Sequence, residues 1–400
     1  MVHARPTASD VVEIAFPTWQ AEEPGFSAFW PAMISEFEMA HRGVRVKLAF
    51  FPINEFESSV LEPLRRGVGP DIVHFPAQHF WHMQRERLLS PLPWASGDLP
   101  ILREWHPWQE RFVSDGALHA ILMQVFGYVM IYWREPFDRT GIVPPTNSTE
   151  LVEVTQQLQH LVSAAVIDAP CGWTTAKHPV LFREVSQWVL DANTHWAADG
   201  RPQVTTGSIR EAVIAWHAFI TRWGVPLDVE VERKQHSFAE GRSAFIVDGP
   251  WVLARVADHV RQGRISVAPV PFKAPAGGLS HALGVARSSE RREEAFAFLK
   301  WLLRRDTILE YCRRSFSVPP IVTISAQELG PCTSWPTLIT AARNARDTVP
   351  PGMEAGITQF RDIVVDELVA SLHDGEVDKH LARIARRWDE VAQPDATPLA

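Results

Sequence analysis

The chain has 400 residues, of which 46% are apolar and 22% charged, and a formal net charge of −8. That length predicts two or three folded units or one large one, and the balance of residue types excludes disordered and fibrous classes. The negative field, with no basic block to offset it, excludes nucleic acid as the natural partner.

In chain order, the opening MVHARPTASD lacks the charged region, apolar stretch and cleavage site of a secretory signal, so the reading is a mature or a cytosolic chain. Residues 11–16 and 44–51 read as strands, the second with Val44, Val46 and Leu48 alternating against Arg45 and Lys47. Between them, residues 26–41 carry Phe29, Met33 and Phe37 at helical spacing, which makes a β-α-β unit. Asn54 followed by Glu57 resembles a capping box opening a helix to Arg66, and residues 72–75 form a third strand. This alternation predicts a mostly parallel, doubly wound sheet.

Residues 116–133 contain no Asp, Glu, Lys or Arg over 18 positions, the lower limit for a membrane span. Glycines, His119 and Gln124 interrupt the run and β-branched and aromatic residues crowd its second half, so it reads as two buried strands joined near 124–127, without membrane insertion. Asn147 with Glu150 opens a helix to Val162. Ser208 with Glu211 reads as a capping box for a helix with Ile209, Ala212, Trp216, Phe219, Ile220 and Trp223 inward, closed by Gly224. FAEGRSAFIVDGPW (238–251) reads as a helix end, a glycine turn and a strand ending at Gly249. A helix over 291–304 turns Ala295, Phe298, Leu299 and Leu302 inward, residues 317–320 form a candidate crossing, and residues 360–388 form paired helices.

The chain lacks GxSxG, HExxH, GxxxxGK[ST] and a GxGxxG after the first strand, which removes several enzyme classes. His74, His79 and His82 lie close in sequence, but no carboxylate or thiol stands near to complete a site, so no metal and no cofactor is expected. Glu22 with Glu23 and Glu293 with Glu294 are adjacent and do not face each other across a bond, as a glycoside hydrolase needs. Cys171, Cys312 and Cys332 allow at most one disulfide and do not settle the compartment. Six lysines stand against 33 arginines, and 16 tryptophans against three tyrosines. Tryptophan suits ligand walls, although most of the 16, including Trp188, Trp216, Trp223 and Trp301, read as core.

Taken together, FPTW (16–19), RGVRVKL, GPDIVHF from Gly69, the segment from Asp115 to Thr146, FAEGRSAFIVDGPW, EEAFAFLKWLLRRD and the SVPP after it resemble the family 1 extracellular solute-binding proteins. These are the sugar-binding components of ABC importers, and the resemblance covers nearly the whole chain. The family's Tyr-Asn pair is Tyr132 and Trp133 here, and no lipid-attachment cysteine is present. The resemblance implies an α/β, two-lobed periplasmic-binding-protein-like (type II) fold with C-terminal helices and a ligand cleft that closes by a hinge. It divides the chain into lobe 1 (1–122 and 277–316) and lobe 2 (123–276 and 317–400). The implied protein is a periplasmic monomer, not an enzyme, that captures a sugar or related polyhydroxylated solute for the permease subunits of an ABC transporter. A cytosolic sugar sensor of the same fold is the alternative, and a glycoside hydrolase a lesser one.

Sugars present C–H faces and a rim of hydroxyls, so their sites need flat apolar walls with fixed donors and acceptors. By position, the resemblance implies ligand contacts from Trp19, Gln20 and Glu22 after the first strand, Gln78 and His79 after the third, and Gln124 in the crossing segment. Trp173 and Trp251 come from the second lobe, with Gly278 and His281 at the return crossing.

Overall fold

The computed structural model describes residues 11–94, 98–198, 200–223, 225–350 and 352–392. Strands β1 (Val12–Pro17) and β2 (Val44–Ala49) pair in parallel around helix α1 (Phe29–Ala40), which buries Phe29, Met33 and Phe37 as its spacing predicts. Strand β3 (Ile72–Pro76), buried along its whole length, leads into α2 (Phe80–Arg85). β4 (Ala120–Leu122) and β5 (Val129–Trp133) follow. α3 (Ser148–Ser163) starts at Asn147, whose side chain accepts from the Glu150 N–H at 2.9 Å. β6 (Ala169–Gly172), α4 (Pro179–Asp191), α5 (Gly207–Arg222) and α6 (Val231–Ala239) come next. Gly241, at φ +73°, turns the chain from α6 into β7 (Ser243–Asp248), a left-handed conformation that costs glycine little. β8 (Ile265–Pro269), β9 (His281–Val285), α7 (Arg292–Leu302), α8 (Arg305–Ser315), α9 (Ile357–Asp374) and α10 (Val377–Ala392) complete the main elements.

The chain divides into two compact units, Met1–Val125 with Leu279–Pro331 and Phe126–Gly278 with Cys332–Ala400. In the first unit β9 lies between β3 and β4, antiparallel to both. In the second the order is β8-β5-β7-β6, with only β7 and β6 parallel. The first core gathers Phe16, Trp30, Phe37 and Phe298 in edge-on contacts, and the second packs α4, α5 and α9 over the sheet through Trp188, Trp216 and Phe360. Among the described residues, no helix is long and apolar enough to cross a membrane, and all three cysteines are free.

Several local expectations are corrected. The sheets are mixed and not mostly parallel, because the strand that returns late, β9, runs opposite to its neighbours. Residues 116–133 form four short strands instead of two, since β4 and β5 belong to different units and cannot make one hairpin. No side chain caps the Asn54 helix. It begins as a 3-10 turn, widens into a π turn over Glu57–Leu61 and is α-helical only over Glu62–Arg65; Pro63 lacks the N–H that a regular helix would need there. Ser208 is not a cap either. Thr206 takes the extended cap conformation, and the helix is already under way at Gly207. Gly224, expected to close that helix, lies outside the described residues. The third crossing falls after Pro331, not after Phe316. Residues 317–331 stay with the first unit, held by the bonds from Val125 N to Val318 O and from Val322 N to Glu104 O and by the Arg305–Glu328 pair at 2.7 Å.

Candidate functional site

In the first unit, the ends of four strands come together, β1 from one sheet and β3, β9 and β4 from another, forming one edge. β1 ends before Thr18, whose hydroxyl accepts from Gln20 N at 3.1 Å and caps the single turn Trp19–Ala21. β3 ends before a similar turn, Ala77–His79. Because β9 is antiparallel to β3, its first residue, His281, lies opposite Pro76, and Leu122 at the end of β4 lies opposite Ala282. Trp19, Gln20, Gln78, His79, Gln124 and His281 therefore share this edge. Open α/β sheets bind ligands beyond such strand ends.

A buried polar chain underlies the edge. Thr18 Oγ1 lies 2.6 Å from His74 Nδ1, His74 Nε2 lies 2.6 Å from His281 Nδ1, and His281 Nε2 lies 3.1 Å from the Tyr311 hydroxyl. Gln20 Nε2 donates to the same hydroxyl at 3.1 Å. Trp19 stacks on His74, with ring centres 4.0 Å apart. Burial pushes the pKa of His281 down to about 3; burial, and after it the neighbouring His281, hold His74 well below the ordinary histidine value. Both rings are neutral, and each ring nitrogen already has a partner.

The edge residues thus fall into two sets. Trp19, Gln20 and His281 are 5%, 1% and 3% exposed, and Gln20 and His281 spend their side-chain polar atoms within the unit. Glu22 is exposed, while Gln78 and His79 are half-buried, the latter with its ring 4.7 Å from that of Phe56. Gln124 donates through Nε2 to Ser280 Oγ at 2.7 Å, and its Oε1 has no protein partner.

The second unit presents a comparable edge where β7 ends. Gly249 and Pro250 turn the chain so that the indole of Trp251 folds back over Gly249, and a Cβ on that glycine would overlap the ring. Trp251 is partly buried and meets Phe126 edge-on at 5.1 Å and Tyr128 at 6.3 Å. The Arg183 guanidinium sits 5.0 Å above the Phe126 ring. Among the described residues, the Tyr128 hydroxyl beside this edge and both polar atoms of Gln187 within α4 are buried without partners. Buried polar groups are normally satisfied, so an unbonded hydroxyl at a strand-end edge is suited to a ligand that brings hydroxyls.

Beneath this edge, Lys234 Nζ lies 2.7 Å from Glu184 and 2.6 Å from Asp248, all three side chains being fully buried. Burial opposes the lysine's charge, but the two carboxylates outweigh it and raise its pKa; burial raises that of Glu184. Asp248 Oδ1 also accepts from Gly249 N at 2.7 Å, which ties the triad to the turn that carries Trp251. Trp173, after β6, is 1% exposed with its ring 5.3 Å from Phe219, a core position. Gly278 is buried at φ +150°, its missing Cβ leaving room for the Asp347 carboxylate.

Sequence reasoning did not single out Phe126, Tyr128, Arg183, Gln187 or Tyr311. Tyr128 and Phe126 stood in the uncharged segment, which was a usable signal; nothing local marks Arg183 or Tyr311.

A model of the bacterial extracellular solute-binding protein family matches residues 32–340, and the chain belongs to that family. The family is one of binding proteins that act outside the cytoplasm, in the periplasm or beyond. Among solved structures, the GacH receptor of Streptomyces glaucescens, studied unliganded and with acarbose, aligns with a TM-score of 0.82 at 17% identity, covering 95% of this chain and 98% of its own. Maltose-bound T. maritima MalE3 aligns equally well at 17% identity, over 95% and 99% of the two chains. UgpB from Mycobacterium tuberculosis, in complex with glycerophosphocholine, aligns with a TM-score of 0.78 at 17% identity over 95% and 98%. The likeness establishes the two-lobed periplasmic-binding-protein fold. No curated protein sequence matches.

Proposed function

We propose that this protein is the solute receptor of an ABC importer and captures a sugar or other polyhydroxylated solute without altering it. The observation that carries the reading is the chemistry of the two strand-end edges. Trp251 offers a partly exposed flat ring, and Tyr128 and Gln124 hold polar atoms without partners among the described residues. A sugar supplies the C–H face and the hydroxyls that such groups match. Acarbose and maltose, bound by the GacH receptor and MalE3, are ligands of this chemistry and support the reading. In this proposal the first unit meets solute through Gln124, Gln78, His79 and Glu22, on ground shaped by Trp19, Gln20 and His281, and the second unit meets solute through Trp251, with Gly278 shaping its backbone. The protein works as a periplasmic monomer, hands its solute to the transporter's permease subunits, and performs no catalysis.

A thermal-shift screen over mono- and oligosaccharides, polyols and glycerophosphodiesters tests the proposal. Saturation at about 100 times the dissociation constant stabilises the fold by roughly 2.7 kcal/mol. Chromatography after incubation should return the solute unchanged, and a hydrolysed product would overturn the receptor reading.

A further inference from the structure

The opposite end of the first unit's sheet holds a second cavity, of about 550 Å³, within the range of metabolite sites. β9 runs from the solute edge at His281 to Val285, and Arg287 follows two residues later, so the cavity lies roughly 20 Å from that edge along the strand. Three guanidinium-bearing residues from two stretches line it, Arg87 on one and Arg287 and Arg292 on the other, against one carboxylate among the described residues, Asp115. Backbone bonds from Arg287 N to Leu88 O and from Ser90 N to Val285 O, both 2.8 Å, lock the first stretch against the second. Arg292 Nη1 donates to Arg287 O at 2.9 Å, which seats its side chain beside the cavity.

Two further observations point to a ligand. His119 lines the cavity at 7% exposure; its Nε2 lies 3.4 Å from Gln84 Nε2, while its Nδ1 and Gln84 Oε1 have no partner among the described residues. A buried donor and a buried acceptor thus stand unsatisfied at the wall of an arginine-lined pocket, and such groups are expensive to leave unmade. Arg87 itself stands just past the end of α2 at φ +52°, a left-handed position where glycine would be cheaper, and it lines the cavity.

We propose that this cavity is a second binding site, for a phosphate monoester of a small polyol. Arginine forks match phosphate oxygens, and three guanidinium groups less one carboxylate leave a charge of +2 for the dianion. Asp115 and Gln84 Oε1 accept from the polyol hydroxyls, and His119 donates to an ester or phosphate oxygen. The assignment stands independently of the solute proposed for the other edge.

Calorimetric titration of the full chain with glycerol phosphate, inorganic phosphate and glycerol tests it. Glycerol phosphate binds with a dissociation constant of about 0.1–1 mM, inorganic phosphate more weakly, and glycerol not at all. Arg87→Gly suits the left-handed backbone, so it keeps the fold while weakening glycerol phosphate about tenfold or more, as does Arg287→Gln. Trp251→Ala leaves this binding unchanged. Absence of binding at about 10 mM, unchanged affinity in both arginine variants, or loss of binding in Trp251→Ala would each overturn the second site. Equal affinity for inorganic phosphate and glycerol phosphate would overturn the monoester assignment.

Discussion

Acid should weaken the first unit through His281 in a calculable way. Its ring is held neutral by burial, with a folded pKa of about 3, whereas in the unfolded chain it titrates near the ordinary value of about 6.5. The unfolded state therefore binds the extra proton first, and stability, full above the unfolded value, is lost as pH falls from about 6.5 toward 3. At pH 5 the loss is about 1.5 pH units at 1.36 kcal/mol each, or roughly 2 kcal/mol for this one ring. The geometry gives no escape. His74 Nε2 and His281 Nδ1 face each other at 2.6 Å, so protonating both rings would set two N–H donors against each other. Urea titrations of the wild type and of His281→Gln at pH 8 and pH 5 measure the effect. His74, His106, His178 and His195, also lowered by burial, add to the wild-type fall and largely cancel in the comparison. The wild type should lose about 2 kcal/mol more than the variant between the two pH values. An identical loss in both proteins would refute the neutral-histidine chain.

Four further outcomes follow from the second unit. Trp251→Ala should cut solute affinity about tenfold, from roughly 1.5 kcal/mol for one aromatic contact, while the ligand-free melting point moves little. Trp173→Ala, at a fully buried ring, should cost about 3–5 kcal/mol of stability, read from the melting point. Gly249→Ala should displace the Trp251 ring and lower affinity with no polar group removed, and retained affinity there would separate the ring from the site. Lys234→Met leaves Glu184 and Asp248 buried together without their cation and should cost about 3–5 kcal/mol in chemical denaturation.

What the sequence conveyed was mainly local. The Phe29, Met33, Phe37 stripe and the Asn147–Glu150 cap are written within a few residues of each other, and the elements form where those signals stand. Pairing direction is not local: nothing in residues 281–285 says that the strand enters between β3 and β4 against their direction. The same limit governs the sites. Gln20 and His281 could be placed at a strand-end edge by order alone, but their saturation by Tyr311, some thirty residues past His281, needed the folded chain. Lys234, Glu184 and Asp248 look like ordinary charged positions on separate elements until the sheet and helices bury them together. Arg87 and Arg287 stand two hundred residues apart, and only the antiparallel course of β9 brings them to one cavity.

The central claim, that the protein is a receptor for a polyhydroxylated solute with Trp251 as a wall of its site, is tested most directly by calorimetry of the purified chain with the best ligand from the saccharide screen, in wild type and Trp251→Ala. The account predicts one solute per chain, recovered chemically intact, with about tenfold weaker binding in the variant and the same stoichiometry. Saccharide binding of unchanged affinity in Trp251→Ala, or no binding by any saccharide or polyol at millimolar concentration, would contradict it.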